Sequence, residues 1–225
     1  MMHYQTFSRH AGRPSDGSRR NVIKVNGEGK VSVRPDQAKV TLGASTEDRE
    51  LAKAQEENAA IISRVQRALR GAGIPEDRIQ TTDYSIFPQY DYIEGKQVFR
   101  GYRVLHLLLV TVEPIEKTGA VVDMAVANGA NTVSGIVFET SRYTEVYLQA
   151  LSLAVLNARE KAETIAATIG VRLAPAPISV TETVRRPGEP IPYETSAFVK
   201  SAAATPIQPG TMEVISQVAA EFLYE

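Results

Sequence analysis

There is no cysteine and no tryptophan among the 225 residues of this chain. Without cysteine, thiol nucleophiles, thiolate metal sites, redox pairs and disulfide staples are all excluded, and the redox state of the compartment leaves no mark. Histidine is nearly absent as well: His3 and His10 lie near the start and His106 is far inside. A two-histidine metal site or a histidine-based triad would therefore have to recruit the first ten residues. Charge of one sign is lacking too, since 25 Lys and Arg meet 26 Asp and Glu for a net charge of -1. A surface that holds nucleic acid needs a basic excess to neutralise phosphates, so no nucleic-acid partner is expected. Long apolar runs are missing. The longest, Val104 to Val112, suits a strand and is interrupted by His106, well short of the ~20 residues of a membrane helix, so no integral membrane segment is expected.

Residues 1–20 carry Arg9, Arg13, Arg19 and Arg20 among Ser and Gly, with no hydrophobic stretch of the kind a secretory signal requires. They read as a disordered basic arm, and the chain as soluble and cytoplasmic. Phosphate-binding and nucleophile motifs are absent from the sequence. Gly27-Glu28-Gly29 starts like a dinucleotide-binding turn, but Ser32 stands where the third glycine belongs and a strand pattern follows where a helix must begin. The two glycines read as places where another backbone comes close to a strand.

The patterns that are present describe one α+β domain over 21–225, with one or two subdomains left open. Val25, Val31 and Val33 alternate with Lys24, Glu28, Lys30 and Ser32, a half-buried strand, and Ala38, Val40 and Leu42 resume the alternation beyond Arg34-Pro35-Asp36. This opening reads as a hairpin of two neighbouring strands. Leu51, Ala54, Ile61, Ile62, Val65 and Leu69 recur at helical spacing until Gly71-Ala72-Gly73, with Ser45 or Asp48 as the cap. Ile79 to Tyr92 and Val98 to Val112 flank Glu94-Gly95-Lys96 as a long hairpin, with Pro88 marking a bulge or an edge. Its second arm is apolar on both faces and needs two covers.

A short helix follows through Val121 to Val126, then a strand from Asn131 to Thr140. Thr144 is the expected cap of the longest helix, where Ala150, Ala154, Ala158, Ala162 and Ala166 recur every four residues to Gly170. A ladder of small residues lets a helix lie close to its neighbour. Prolines crowd between Pro175 and Pro209, with a strand near Ile178 to Val184, and 185–210 reads as a long proline-rich loop. Met212 to Tyr224 alternates as a last strand. The predicted class is thus a twisted antiparallel sheet of hairpins with helices packed on it.

Candidate sites are few. Tyr84, Tyr90, Tyr92 and Tyr102 cluster on the long hairpin, and tyrosine, apolar in body and polar at the tip, is enriched at interfaces. His106 sits between Leu105 and Leu107 in the most apolar strand, where a core or interface role needs one hydrogen-bond partner and a catalytic role would need an orienting carboxylate and a cleft. Asp36, Asp83, Glu113 and Asp123 lie at element ends, where carboxylates serve as caps and turn residues. No catalytic residue, metal ligand or cofactor site is expected; the candidate interface is Tyr84, Tyr90, Tyr92, Tyr102, His106 and Leu107.

Taken in order, Val25-Asn26-Gly27-Glu28-Gly29 with Val31 to Pro35-Asp36, Gly73-Ile74, Ile79-Gln80-Thr81, Tyr84 to Tyr92 with Pro88, Gly101-Tyr102, Gly129-Ala130-Asn131 to Phe138, Ala158 with Lys161-Ala162, and Gly170 resemble the SIMPL-domain family. The resemblance runs from about Val22 to the C-terminal strand. It implies an α+β subunit with stress-related or interaction roles, ring-like or channel-like oligomers in some relatives, and no established catalytic residues. Two departures stand out. Relatives commonly carry an export signal, and His106 stands among leucines where they usually hold a polar Asn.

The functional expectation is a non-enzymatic self-assembling or binding protein, a homo-oligomer formed through sheet edges and the apolar hairpin. The rival is a small-molecule hydrolase or ligand-binding enzyme with a cleft near His106 and Asp83.

Overall fold

The computed structural model describes residues 21–183, 207 and 209–225; the expected basic arm of 1–20 and most of the proline-rich stretch lie outside them. Seven strands and three helices follow in the order β1 (Val22–Val33), β2 (Gln37–Asp48), α1 (Leu51–Gly71), β3 (Ile79–Ile93), β4 (Lys96–Val112), α2 (Thr118–Ala127), β5 (Thr132–Glu139), α3 (Tyr143–Ile169), β6 (Ser179–Glu182) and β7 (Met212–Leu223). The fold is α+β and every strand pair is antiparallel.

Two sheets form, in the orders β3-β4-β2-β5 and β1-β7-β6. The expected opening hairpin is therefore corrected. β1 pairs along its whole length with β7, from Val22 opposite Leu223 to Val33 opposite Met212, while β2 lies between β4 and β5. Alternation reports which face of a strand is buried and carries no information about its neighbour. The connector Arg34-Pro35-Asp36 takes the chain out of one sheet into the other.

The second passage between sheets, from β5 into α3, runs beside the first. Asp36 donates its backbone N–H to Glu139 O at 3.1 Å, and its carboxylate accepts the Ser141 N–H and the Ser141 hydroxyl, both at 2.7 Å. These bonds hold Asp36 below the ordinary carboxylate range, the Ser141 N–H contributing most. Asp36 is thus a staple between the two crossings.

On the four-stranded sheet, α1 and α2 cover one face. Val40, Leu42 and Ala44 of β2 and Leu108, Val110 and Val112 of β4 meet Ile61, Ile62, Val65 and Leu69 of α1 and Val121, Val122 and Ala125 of α2. Each such Val, Leu or Ile side chain, once buried, is worth about 1.5–3 kcal/mol, so this is the larger apolar store of the fold. Asn58, buried on α1, donates to Ala44 O at 3.0 Å and Val104 O at 3.2 Å and so ties the helix to both central strands. Asn131 does similar work at the end of β5, its amide giving to Ser45 O and taking from Ser45 N–H, each at 2.8 Å. The helix starts differ from expectation: α1 has Glu50 and α3 has Arg142 at the cap position, neither with a side-chain cap. Asp48 instead accepts the Glu50 N–H just ahead of α1.

The second layer is built on closeness. α3 buries Val146 and Ala150, Ala154, Ala158, Ala162 and Ala166 against β1 and β7. A four-residue interval drifts about 40° per step around a helix, so the contact stripe winds across the strands. On β1 the facing residues are Gly27 and Gly29. A Cβ on Gly27 would stand 2.0 Å from Ala154 O and 2.7 Å from Ala158 N; one on Gly29 would stand 2.0 Å from Ala150 O. Helix backbone lies directly on strand backbone, as the small residues on both elements require. Lys161 then donates to Asn26 O at 2.9 Å and Asn157 accepts the Glu28 N–H at 3.2 Å, so α3 also occupies the outer edge of β1.

Candidate interaction surface

β3 and β4 form the longest hairpin, from Ile79 opposite Val110 to Ile93 opposite Lys96. β2 supports β4 only as far as Asp48, which lies opposite Tyr102. Beyond that pair, Gln89 to Ile93 and Lys96 to Gly101 continue as a two-stranded arm.

Two irregularities set which residues share a face. The register slips between Thr81 and Asp83, and again between Gln89 and Tyr90 where Arg100 is passed over. Cross-strand partners point to the same face. Thr81, Tyr84, Ile86, Pro88, Tyr90 and Tyr92 of β3 therefore line up with Leu108, His106, Val104, Tyr102, Phe99 and Gln97 of β4, on the side that α1 covers further down. Asp83, Ser85, Phe87 and Asp91 share the other side with Leu107, Leu105, Arg103 and Val98. The four tyrosines and His106 thus form one stripe, and Leu107 belongs to the opposite face.

Along the stripe the rings meet edge to face: Tyr84 with His106 at 5.2 Å between centroids, Tyr90 with Phe99 at 5.7 Å and Phe99 with Tyr102 at 5.2 Å. Phe99 was not singled out by the sequence reading. It lies on an odd position and joins the even-numbered stripe only because of the bulge at Arg100. The stripe begins under α1, where Gln55 Nε2 donates to the Tyr84 hydroxyl at 3.1 Å, and ends in solvent with Tyr92, 76% exposed. Phe87, Ile93 and Val98 are exposed as well, so the arm is apolar on more than one side.

His106 is half-buried, with Nε2 3.1 Å from Thr81 Oγ1. Burial pushes its pKa below the usual value and the Asp83 charge pulls the other way. Asp83 and His106 project from opposite faces of the hairpin, and the Asp83 carboxylate accepts the Ser85 hydroxyl at 2.8 Å. The other carboxylates lie elsewhere in the fold: Asp36 staples the connectors, Glu113 pairs with Arg78 at 2.7 Å, and Asp123 is exposed on α2. Among the described residues no group of three or more His, Asp or Glu is arranged to hold a metal ion.

A shallow hollow of about 270 Å³ lies at the root of the arm, lined by Glu47, Arg49, Gln89, Arg100 and Tyr102 among others. Arg100 spends its guanidinium there on Glu47 and, at 3.7 Å, on Asp91. Gly101 is required at this crossing, because a Cβ would stand 2.7 Å from Asp48 O.

Leu105, Leu107 and Leu109, on the face away from α1 and α2, are half-buried and join none of the apolar clusters found among the described residues. The strand expected to need two covers has one in the described chain. Among the described residues no helix is long and apolar enough to cross a membrane.

The family model SIMPL, described as a protein of unknown function (DUF541), matches residues 23–222. The 26 kDa periplasmic immunogenic protein of Brucella melitensis is 30% identical over 189 residues, covering 82% of this chain and 75% of its own length. Uncharacterized protein YggE of Edwardsiella ictaluri is 28% identical over 157 residues, 68% of this chain and 64% of its own. YggE of Escherichia coli K12 is 23% identical over 200 residues, 89% of this chain and 78% of its own. The Brucella names correct the cytoplasmic expectation, for they point to export into the periplasm. That expectation rested on residues 1–20, which lie outside the stretch matched by the family model.

Proposed function

Because the chain belongs to the SIMPL family, whose function is unknown, its role must be read from its own surfaces, and we propose that it is a non-enzymatic subunit that assembles with copies of itself. One observation carries this reading: the β3–β4 arm runs past the end of β2 as a bare two-stranded ribbon with large apolar side chains exposed. A lone two-stranded hairpin is marginal in water, and contiguous apolar surface of this kind marks an interaction site. A third strand, a helix or another ribbon must cover it for the arm to hold its shape. Stress-related roles remain what the family resemblance implies and do not follow from the surface.

Sedimentation velocity at micromolar concentration tests the proposal. A mass that is a multiple of the 24.5 kDa chain is expected; a single species at the monomer mass across the concentration range overturns it.

A further inference from the structure

We propose that two copies meet arm to arm across a two-fold axis, the tyrosine stripe of one β3–β4 ribbon packing face to face on the same stripe of the other, with no strand added to any sheet edge. This rests on the self-association proposed above and specifies its surface, its symmetry and its occupant.

The edges come first, because strand addition is the usual way for sheets to join. β1 has its outer edge filled by Asn157 and Lys161 of α3. β3 carries a bulge at Thr82 and a proline at Pro88, both of which interrupt a regular ladder. β5 is eight residues long with a register shift against β2, and β6 is four residues long. Each outermost strand of the two described sheets is therefore guarded by a bulge, a proline, side chains or shortness, and the 96–101 stretch of β4 that β2 leaves open carries the bulge at Arg100. The faces of the arm are not guarded in this way.

The area decides in favour of a second copy. Tyr84, Ile86, Tyr90 and Phe99 each expose between 36% and 49%, and Tyr92 76%. With aromatic side chains offering roughly 150–250 Å² each, the stripe presents on the order of 500 Å². That is a large patch for a monomer, yet half of what a specific interface needs. Pairing the stripe with itself buries about 1,000 Å², the level at which specific interfaces begin. An isologous contact achieves this without a second surface, and it places two ribbons about 10 Å apart as a small sandwich whose rings interdigitate. The tyrosine hydroxyls stay at the rim, where water can reach them.

The absence of cysteine makes the test clean. Tyr90→Cys lies near the centre of the stripe and Asp91→Cys on the opposite face of the same ribbon. Each single-cysteine protein is treated with a bis-maleimide of about 10 Å reach, matched to the spacing of packed sheet faces. A two-fold contact brings Tyr90→Cys of one copy to that of the next, so covalent dimers are expected from this variant and few from Asp91→Cys. In parallel, Tyr92→Ser combined with Phe99→Ser should halve the sedimentation mass while the helical circular dichroism signal of α1 to α3 stays unchanged.

An assembled protein that cross-links through Asp91→Cys, or through neither position, overturns the arm-to-arm contact and leaves self-association standing. A double variant that keeps the full mass overturns it as well. A wild-type monomer overturns both proposals.

Discussion

Gly27→Ala adds one methyl group where the backbone of α3 lies against the backbone of β1. The new Cβ would stand 2.0 Å from Ala154 O, 2.7 Å from Ala158 N and 2.8 Å from Ala158 Cβ. A carbon and an oxygen in contact sit about 3.3 Å apart, so α3 must withdraw by roughly 1.3 Å at that turn. Two of the three clashing atoms are helix backbone, so no rotamer change relieves them. Withdrawal loosens the packing of Ala154 and Ala158 over Val218 and Ala220, and a gap of 0.5–1 Å already forfeits about a quarter to a half of each contact. Overpacking of this kind costs about 1–3 kcal/mol, set against the 0.5–1 kcal/mol that alanine regains over glycine in a strand. The net expectation is a loss of about 1 kcal/mol, read as a lower urea midpoint at unchanged slope.

Gly71→Ala is the control, for nothing lies within 4 Å of its Cβ position, and it should leave stability unchanged or slightly higher. Combining Gly27→Ala with Gly29→Ala should cost less than the two single losses added, since both lift the same helix. Adding Ala158→Gly should not restore stability, because the Ala154 carbonyl contact stays. A Gly27→Ala protein as stable as wild type would refute the reading of this interface as backbone on backbone.

Two further predictions concern pH. Asp36→Ala should cost about 1–2 kcal/mol at pH 7, the worth of hydrogen bonds to a charged group at a partly exposed site. Because its folded pKa lies below the ordinary aspartate value of 3.8, the Asp36 contribution is complete above that value and is lost as pH falls below it through the folded pKa, so variant and wild type should converge in strong acid. Urea titrations at several pH values check this, and a gap that persists undiminished in acid would count against the staple. His106 behaves in the opposite chemical sense. Its pKa is pushed below 6.5 in the folded state, so acid favours the unfolded chain: stability should decline as pH drops from 6.5 through the folded pKa and level off beneath it. His106→Asn should flatten that slope, and an NMR titration of the wild-type ring that shows a raised value would sink the argument.

Most of the fold was legible because its elements are amphipathic or punctuated. α1, α2 and α3 appear in the sequence as apolar periods closed by Gly73, Gly129 and Gly170, the β3–β4 hairpin as two runs around Gly95, all four glycines adopting positive φ, and β5 and β7 as apolar strand patterns. Gly27 and Gly29 announced a close approach, and the alanines of α3 announced its other half. Strand partnership was not legible. The alternation of β1 is the same whether Gly27 lies beside β2 or opposite Val218 of β7, and that choice depends on where α3 and the connectors lead the chain. The tyrosine stripe was partly legible through its even spacing in β3, and the division between His106 and Leu107 is the ordinary alternation of neighbouring strand residues, but Phe99 joins the stripe through a bulge that changes no residue type. The guarded edges depend on side chains such as Asn157 and Lys161, which look like ordinary helix surface until the strand they reach is known.

The pairing of β1 with β7 also governs the order in which this protein can be made. Residues 37–139 hold the complete four-stranded sheet with α1 and α2, a block continuous in sequence that can close while the ribosome is still extending the chain. β1 emerges before that block and its strand partner emerges last. Until Met212–Leu223 leaves the exit tunnel, β1 has only α3 to lie against, with the edge that β7 will take still open. The second layer is the late-folding half, and a stalled or truncated chain would present that edge to its neighbours.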